Sequence, residues 1–132
     1  MSPLVEFSQE DILRGKVVPP AWYKIRIGEF SEVQTKAGDS TNYVFDDCRI
    51  LCNADTGDVD FEGVPVQILF SAKPKARGFM QGFFAALGQE VTAGSRFRIE
   101  DAAGKEVVAF VENNLYEGRV SNRINHKYRK VE

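Results

Sequence analysis

The chain has 132 residues, 43% of them hydrophobic and 27% charged, with a formal net charge of −2. That balance predicts one domain spanning residues 1–132 with a filled core, and it excludes global disorder. No run of about 18 apolar residues is present to cross a membrane, and the slightly acidic total excludes a uniformly basic nucleic-acid binder.

Residues 1–6 lack the basic-then-apolar pattern of a signal peptide, so the cytoplasm is the expected compartment. Residues 7–14 read as a short helix. Ser8 caps it, Asp11 sits near the capping-box position, Phe7 and Ile12 form a staple, and Gly15 stops it. Pro19-Pro20 then enforces an extended approach to a strand over residues 21–30. Tyr23, Ile25 and Ile27 share one face of that strand, and Trp22, Lys24, Arg26 and Gly28 the other. Residues 36–40, Lys36-Ala37-Gly38-Asp39-Ser40, are a turn.

A second strand is expected over residues 41–52. Simple alternation puts Tyr43, Phe45, Asp47, Arg49 and Leu51 on one side and Val44, Asp46, Cys48, Ile50 and Cys52 on the other. The two cysteines then share a face but lie too far apart along the strand for a disulfide; they read as reduced packing residues. Residues 53–62 are an acidic connector whose spacing does not fit an EF-hand loop, so a solvated turn is expected. Residues 63–71 form a third strand. Residues 78–88 form a helix whose apolar positions 79, 80, 83, 84 and 87 make one face; it plugs a barrel end and stops at Gly88. Residues 97–99 read as a short extended piece and 102–104 as a turn. Residues 105–116 and 119–130 are strands four and five, joined as a hairpin through Glu117-Gly118. The expected fold is therefore mainly β: a five-stranded OB-fold Greek-key barrel with a helix between strands three and four and a short N-terminal helix.

Enzymatic motifs are scarce. His126 is the only histidine, and there is no Gly-x-Ser-x-Gly or phosphate-loop pattern. No catalytic residue, metal ligand or cofactor is assigned. Asp46-Asp47 is a weak carboxylate pair that a divalent-metal nuclease would use.

Three clusters fit a nucleic-acid groove instead, where cations meet phosphates and rings stack on unpaired bases. The first is Trp22, Lys24 and Arg26, alternatively a core anchor with a solvated basic pair. The second is Lys73, Lys75 and Arg77 with Phe70 and Phe79, before a helix N-terminus, which favours phosphate, alternatively a plain solvated loop. The third is the terminal strand, where Arg119, Ser121, Arg123, Asn125, Lys127 and Arg129 share a polar face, alternatively simple solvent exposure. Charge distribution agrees with the first alternatives: residues 1–62 hold 6 Lys/Arg and 12 Asp/Glu, whereas residues 63–132 hold 11 and 7.

In the order of its motifs the chain resembles phage-encoded OB-fold single-stranded DNA-binding proteins. The points of similarity are Pro20-Ala21-Trp22-Tyr23-Lys24-Ile25-Arg26-Ile27, Lys36-Ala37-Gly38 before Tyr43-Val44-Phe45, Gly104-Lys105-Glu106-Val107, and Tyr116-Glu117-Gly118-Arg119 with Asn122-Arg123-Ile124. The resemblance implies non-enzymatic, cooperative, largely sequence-independent coating and protection of single-stranded DNA in replication or recombination, within a host bacterial cytoplasm. It points to Trp22, Lys24, Arg26, Lys36, Tyr43, Phe45, Tyr116, Arg119, Arg123 and Lys127 as contacts. It also implies a homo-oligomer or filament on DNA, and replication or recombination proteins as partners. Many members end in an acidic recruiting tail; residues 127–132 depart from that pattern. The alternative function is a self-associating β-rich phage structural or assembly protein.

Overall fold

The computed structural model describes residues 3–131. It is mainly β. Helix α1 (Gln9–Arg14) precedes strands β1 (Ala21–Arg26), β2 (Glu29–Gln34), β3 (Thr41–Asn53) and β4 (Pro65–Ser71); a 3-10 turn leads into helix α2 (Arg77–Ala86), and β5 (Glu106–Tyr116) and β6 (Arg119–Arg129) complete the order. All strand pairings are antiparallel. β3 carries β1 and β2 along one edge and β4 along the other, and β1 continues through β5 to β6. No described helix is long and apolar enough to cross a membrane.

The capping box of α1 forms as expected, Ser8 Oγ accepting from the Asp11 amide at 3.1 Å and Asp11 Oδ2 from the Ser8 amide at 2.9 Å. The staple does not bury its partners: Phe7 is 71% and Ile12 55% exposed. α1 is held instead by ion pairs. Arg49 binds Glu10 at 2.7 Å and Asp47 at 2.6 Å, and Arg14 also binds both carboxylates.

The strand expected over residues 21–30 is two strands. Beyond Arg26 the chain stays bonded to the segment that leads into β5, Ile27 N donating to Lys105 O at 2.7 Å and Ile27 O accepting from Gly104 N at 2.8 Å. Gly28 then passes so close to β3 that a Cβ would lie 1.8 Å from the Asp46 carbonyl oxygen. Only glycine permits this approach. The sheet consequently has six strands, and α2 follows the fourth of them, not the third of five.

Three bulges interrupt the ladders, and the two in β3 correct the simple alternation. Phe45 pairs with Ile68 and Cys48 with Val66, so β3 carries one extra residue, centred on Asp47 at φ 60°. Phe45 and Cys48 therefore both point inward. One further extra residue, Leu51, lets Ile50 face Ile25 while Cys52 faces Lys24. The cysteines do not share a face: Cys48 is buried in the core, and Cys52 is half-buried on the outer side. Burial pushes the Cys48 thiol up to about 11. In β6, Ala109 pairs with Tyr128 and Val111 with Ile124. Two extra residues lie there, so inward–outward alternation survives.

β4 and β6 are not hydrogen-bonded partners, which leaves the sheet open between them. Beside this opening, at the β6 bulge, His126 adopts φ 57°. Aromatic packing fills the gap. The His126 ring lies between Phe70 of β4 and Phe79 of α2, with centroids 5.0 and 4.6 Å away. Phe83, the fully buried residue of α2, meets Phe45, Phe70 and Tyr128 beneath. The helix packs on the interior through Phe83, beside an open sheet instead of at the end of a closed barrel, and Phe79 of its expected apolar face is 52% exposed. Residues 99–102 form a 3-10 turn where an extended piece over 97–99 was anticipated.

Candidate nucleic-acid interface

Tyr23 and Ile25 of β1, Val107, Ala109 and Val111 of β5, and Ile124 of β6 all lie in the core. Alternation along a strand therefore turns Trp22, Lys24 and Arg26, then Glu106, Phe110 and Glu112, and then Arg119, Arg123, Lys127 and Arg129 to the opposite, outer face. The first and third sequence clusters, about a hundred residues apart, become one surface because β5 pairs with both β1 and β6.

The centre of this surface is a ring-and-cation cluster. Trp22 and Phe110 meet edge to face, with centroids 5.4 Å apart. The Arg129 guanidinium sits 4.2 Å above the Trp22 ring, and Lys127 Nζ lies 5.7 Å from the Phe110 ring. Both rings are half-buried, so their positions are set while part of each faces solvent. Phe110 was not anticipated. Its signal was its even spacing from Glu106 and Glu112, which puts it on the outward side of β5, where it pairs with Trp22.

Ion pairing divides the cations. Lys24 binds Glu106 at 3.2 Å and Arg129 binds Asp55 at 3.0 Å. Asp55 is presented by a turn in which Asn53 Oδ1 accepts from the Asp55 and Thr56 amides at 2.9 and 3.0 Å. This is the solvated acidic connector of the sequence. Arg26, Arg119, Arg123 and Lys127 are exposed and form no ion pair among the described residues. Unneutralised cations flanking fixed rings can hold an anionic polymer whose flat groups are free to stack.

Tyr116 lies beside Arg119 at the hairpin tip, 70% exposed. The tip itself is the expected two-residue turn, with Glu117 at φ 50° and Gly118 at φ 77°, the twist-matched geometry for a tight hairpin. Asn122, on the inward side of β6, ties down the segment before β1: its Oδ1 accepts from Val18 N and its Nδ2 donates to Lys16 O, both at 2.9 Å.

The other sequence candidates lie elsewhere. Phe45 is fully buried in the core and cannot stack on a ligand; the bulge at Asp47 does not change that. Lys36 is exposed on the β2–β3 turn. Tyr43 and Arg77 line a separate cleft beside α2, and Lys73 and Lys75 are exposed on the chain leading to it. That end also holds Lys36, because Ala72 N bonds Thr41 O at 2.9 Å and so joins the two turns. Asp46 and Asp47 do not form a carboxylate pair. Asp47 faces two arginines, and Asp46 accepts from Gln67 at 2.9 Å. No set of three metal-ligating side chains converges among the described residues. Neither a protein-family model nor a curated protein sequence matches this chain.

Proposed function

We propose that this protein binds single-stranded DNA along the outer face of β1, β5 and β6, without catalysis and with little sequence preference, protecting it during replication or recombination as phage-encoded binders of this kind do. The observation that carries this is the Trp22–Phe110 pair flanked by four unneutralised cations on one sheet face. Bases stack on the rings and phosphates follow Arg119, Arg123 and Lys127 along β6. Arg14 and Arg49 engage Asp47, which takes it out of the Asp46–Asp47 pair that a nuclease would use. The fold we propose is an OB-type barrel: β1 and β2 count as one bent strand broken at Gly28, which restores the order strand, strand, strand, helix, strand, strand, with the gap between β4 and β6 filled by side chains.

A second reading has its own support. Leu4, Val5, Leu115 and Tyr116 are each 70% or more exposed, and such apolar groups favour self-association, either as an oligomer or filament on DNA or as a phage structural or assembly protein. One titration separates the two: anisotropy of a labelled dT oligonucleotide at two salt concentrations, competed with duplex, beside a mass measurement with and without DNA. Salt-weakened binding that duplex fails to displace supports the first. A large oligomer indifferent to DNA overturns it.

A further inference from the structure

The cleft beside α2 stands apart from the β1–β5–β6 face and has a composition of its own. Its volume is about 520 Å³, within the range of roughly 300–1,000 Å³ found for small-molecule sites. Tyr43 from β3, Phe84 from α2 and Phe97 from the segment before the 3-10 turn give it three rings. Phe84 and Phe97 stack on each other, with centroids 4.9 Å apart and planes 27° from parallel, so the two rings brace one another at the cleft. Arg77 and Arg96 are exposed at its edge, and no carboxylate lines it. Neither arginine forms an ion pair among the described residues. Lys73 and Lys75 lie just upstream of Arg77, exposed.

We propose that this cleft is a nucleotide site that takes one unstacked base between its aromatic walls while Arg77 and Arg96 hold the phosphate. A flat apolar slot suits a base, and two guanidinium forks suit a phosphate better than any neutral ligand. The ligand is a nucleoside monophosphate, either free or as one residue of a strand. The proposal draws on the single-strand function only for the second source. An apolar segment of a second copy, such as residues 3–7, is the competing occupant, but it leaves one of the two guanidinium groups without a counter-charge, since Glu6 is its only acid.

The test is calorimetric titration of the intact protein with thymidine 5′-monophosphate and with thymidine. Saturable binding of the monophosphate is expected, much weaker binding of the nucleoside, and a loss of about tenfold in Arg77→Ala and in Arg96→Ala. Phe97→Leu should weaken both ligands, and Lys16→Ala, on the segment before β1, neither. A dT oligonucleotide that displaces the monophosphate assigns the cleft to a strand; one that binds without displacing it assigns the cleft to free nucleotide. No saturation at millimolar monophosphate overturns the proposal, as does an oligomer that dissociates in Phe7→Ser while the monophosphate fails to bind. Failure of the single-strand function is distinct: oligonucleotide binding is then absent while the monophosphate still binds.

Discussion

Ion pairing on the β1–β5–β6 face makes a selective prediction about salt. Each phosphate neutralised on a single strand contributes about 0.7 to the slope of log affinity against log salt. With Arg26, Arg119, Arg123 and Lys127 free to contact phosphate, the slope should be about −2.8, a loss of roughly 50-fold between about 50 and 200 mM salt. Arg123→Ala with Lys127→Ala should halve the slope and reduce that loss to roughly sevenfold. Lys24→Ala should leave the slope near wild type, because Glu106 already neutralises Lys24 at 3.2 Å. Affinity in that variant should still fall, since Glu106 is then unmasked toward the strand. Anisotropy titrations of a dT oligonucleotide at four salt concentrations measure all three slopes, with circular dichroism confirming the fold. A Lys24→Ala slope reduced as much as that of Arg123→Ala would refute the division of cations. Unchanged slopes throughout would remove β6 from phosphate contact.

Gly28→Ala should destabilise the protein by about 3 kcal/mol or more or prevent folding, since its Cβ meets backbone at the β3 bulge; a wild-type midpoint in chemical denaturation would refute the close approach. Phe45→Ala should cost about 3–5 kcal/mol of stability through a core cavity, with single-strand affinity unchanged once folded. Trp22→Ala should do the reverse, costing only about 1–2 kcal/mol of stability from its ring and cation contacts and about 1–3 kcal/mol of binding; equal effects on both measurements would dissolve the distinction. His126 is held below its ordinary value by burial between rings and by nearby Arg123. The unfolded chain therefore takes up the proton first, and the stabilising contribution of the neutral ring, present above about pH 6.5, is lost as pH falls through the folded value. Thermal melts from neutral to mildly acidic pH should fall in wild type and fall less in His126→Gln; parallel curves would show that the stacked imidazole is not the source.

Local signals were legible where one segment decides its own geometry. The Ser8–Asp11 capping box, the Glu117-Gly118 hairpin, the apolar face of α2 and the inward set Tyr23, Ile25 and Ile27 all follow from neighbours within a few residues. The outward cations of β6 were legible too, and they stay outward because its bulge adds two residues, an even number that preserves alternation. In β3 each bulge adds one, and an odd number reverses every side chain beyond it. That is why Cys52 left the face assigned to it. A bulge depends on what the partner strand presents, so period-two reasoning along one strand cannot find it.

Pairing partners were likewise a tertiary matter. The sequence by itself determined a β-rich chain with aromatic and basic residues at outward positions of its first and last strands. Tertiary structure alone decided that β5 lies between those strands, adding Phe110, joining Trp22 to Arg129, and neutralising Lys24 but not Arg123. It also sent Tyr43 and Arg77 to a different cleft and Phe45 to the core. The physical reason is that strand neighbours are chosen by long-range hydrogen bonding and core filling, and a side chain's charge partner or stacking partner follows from that choice.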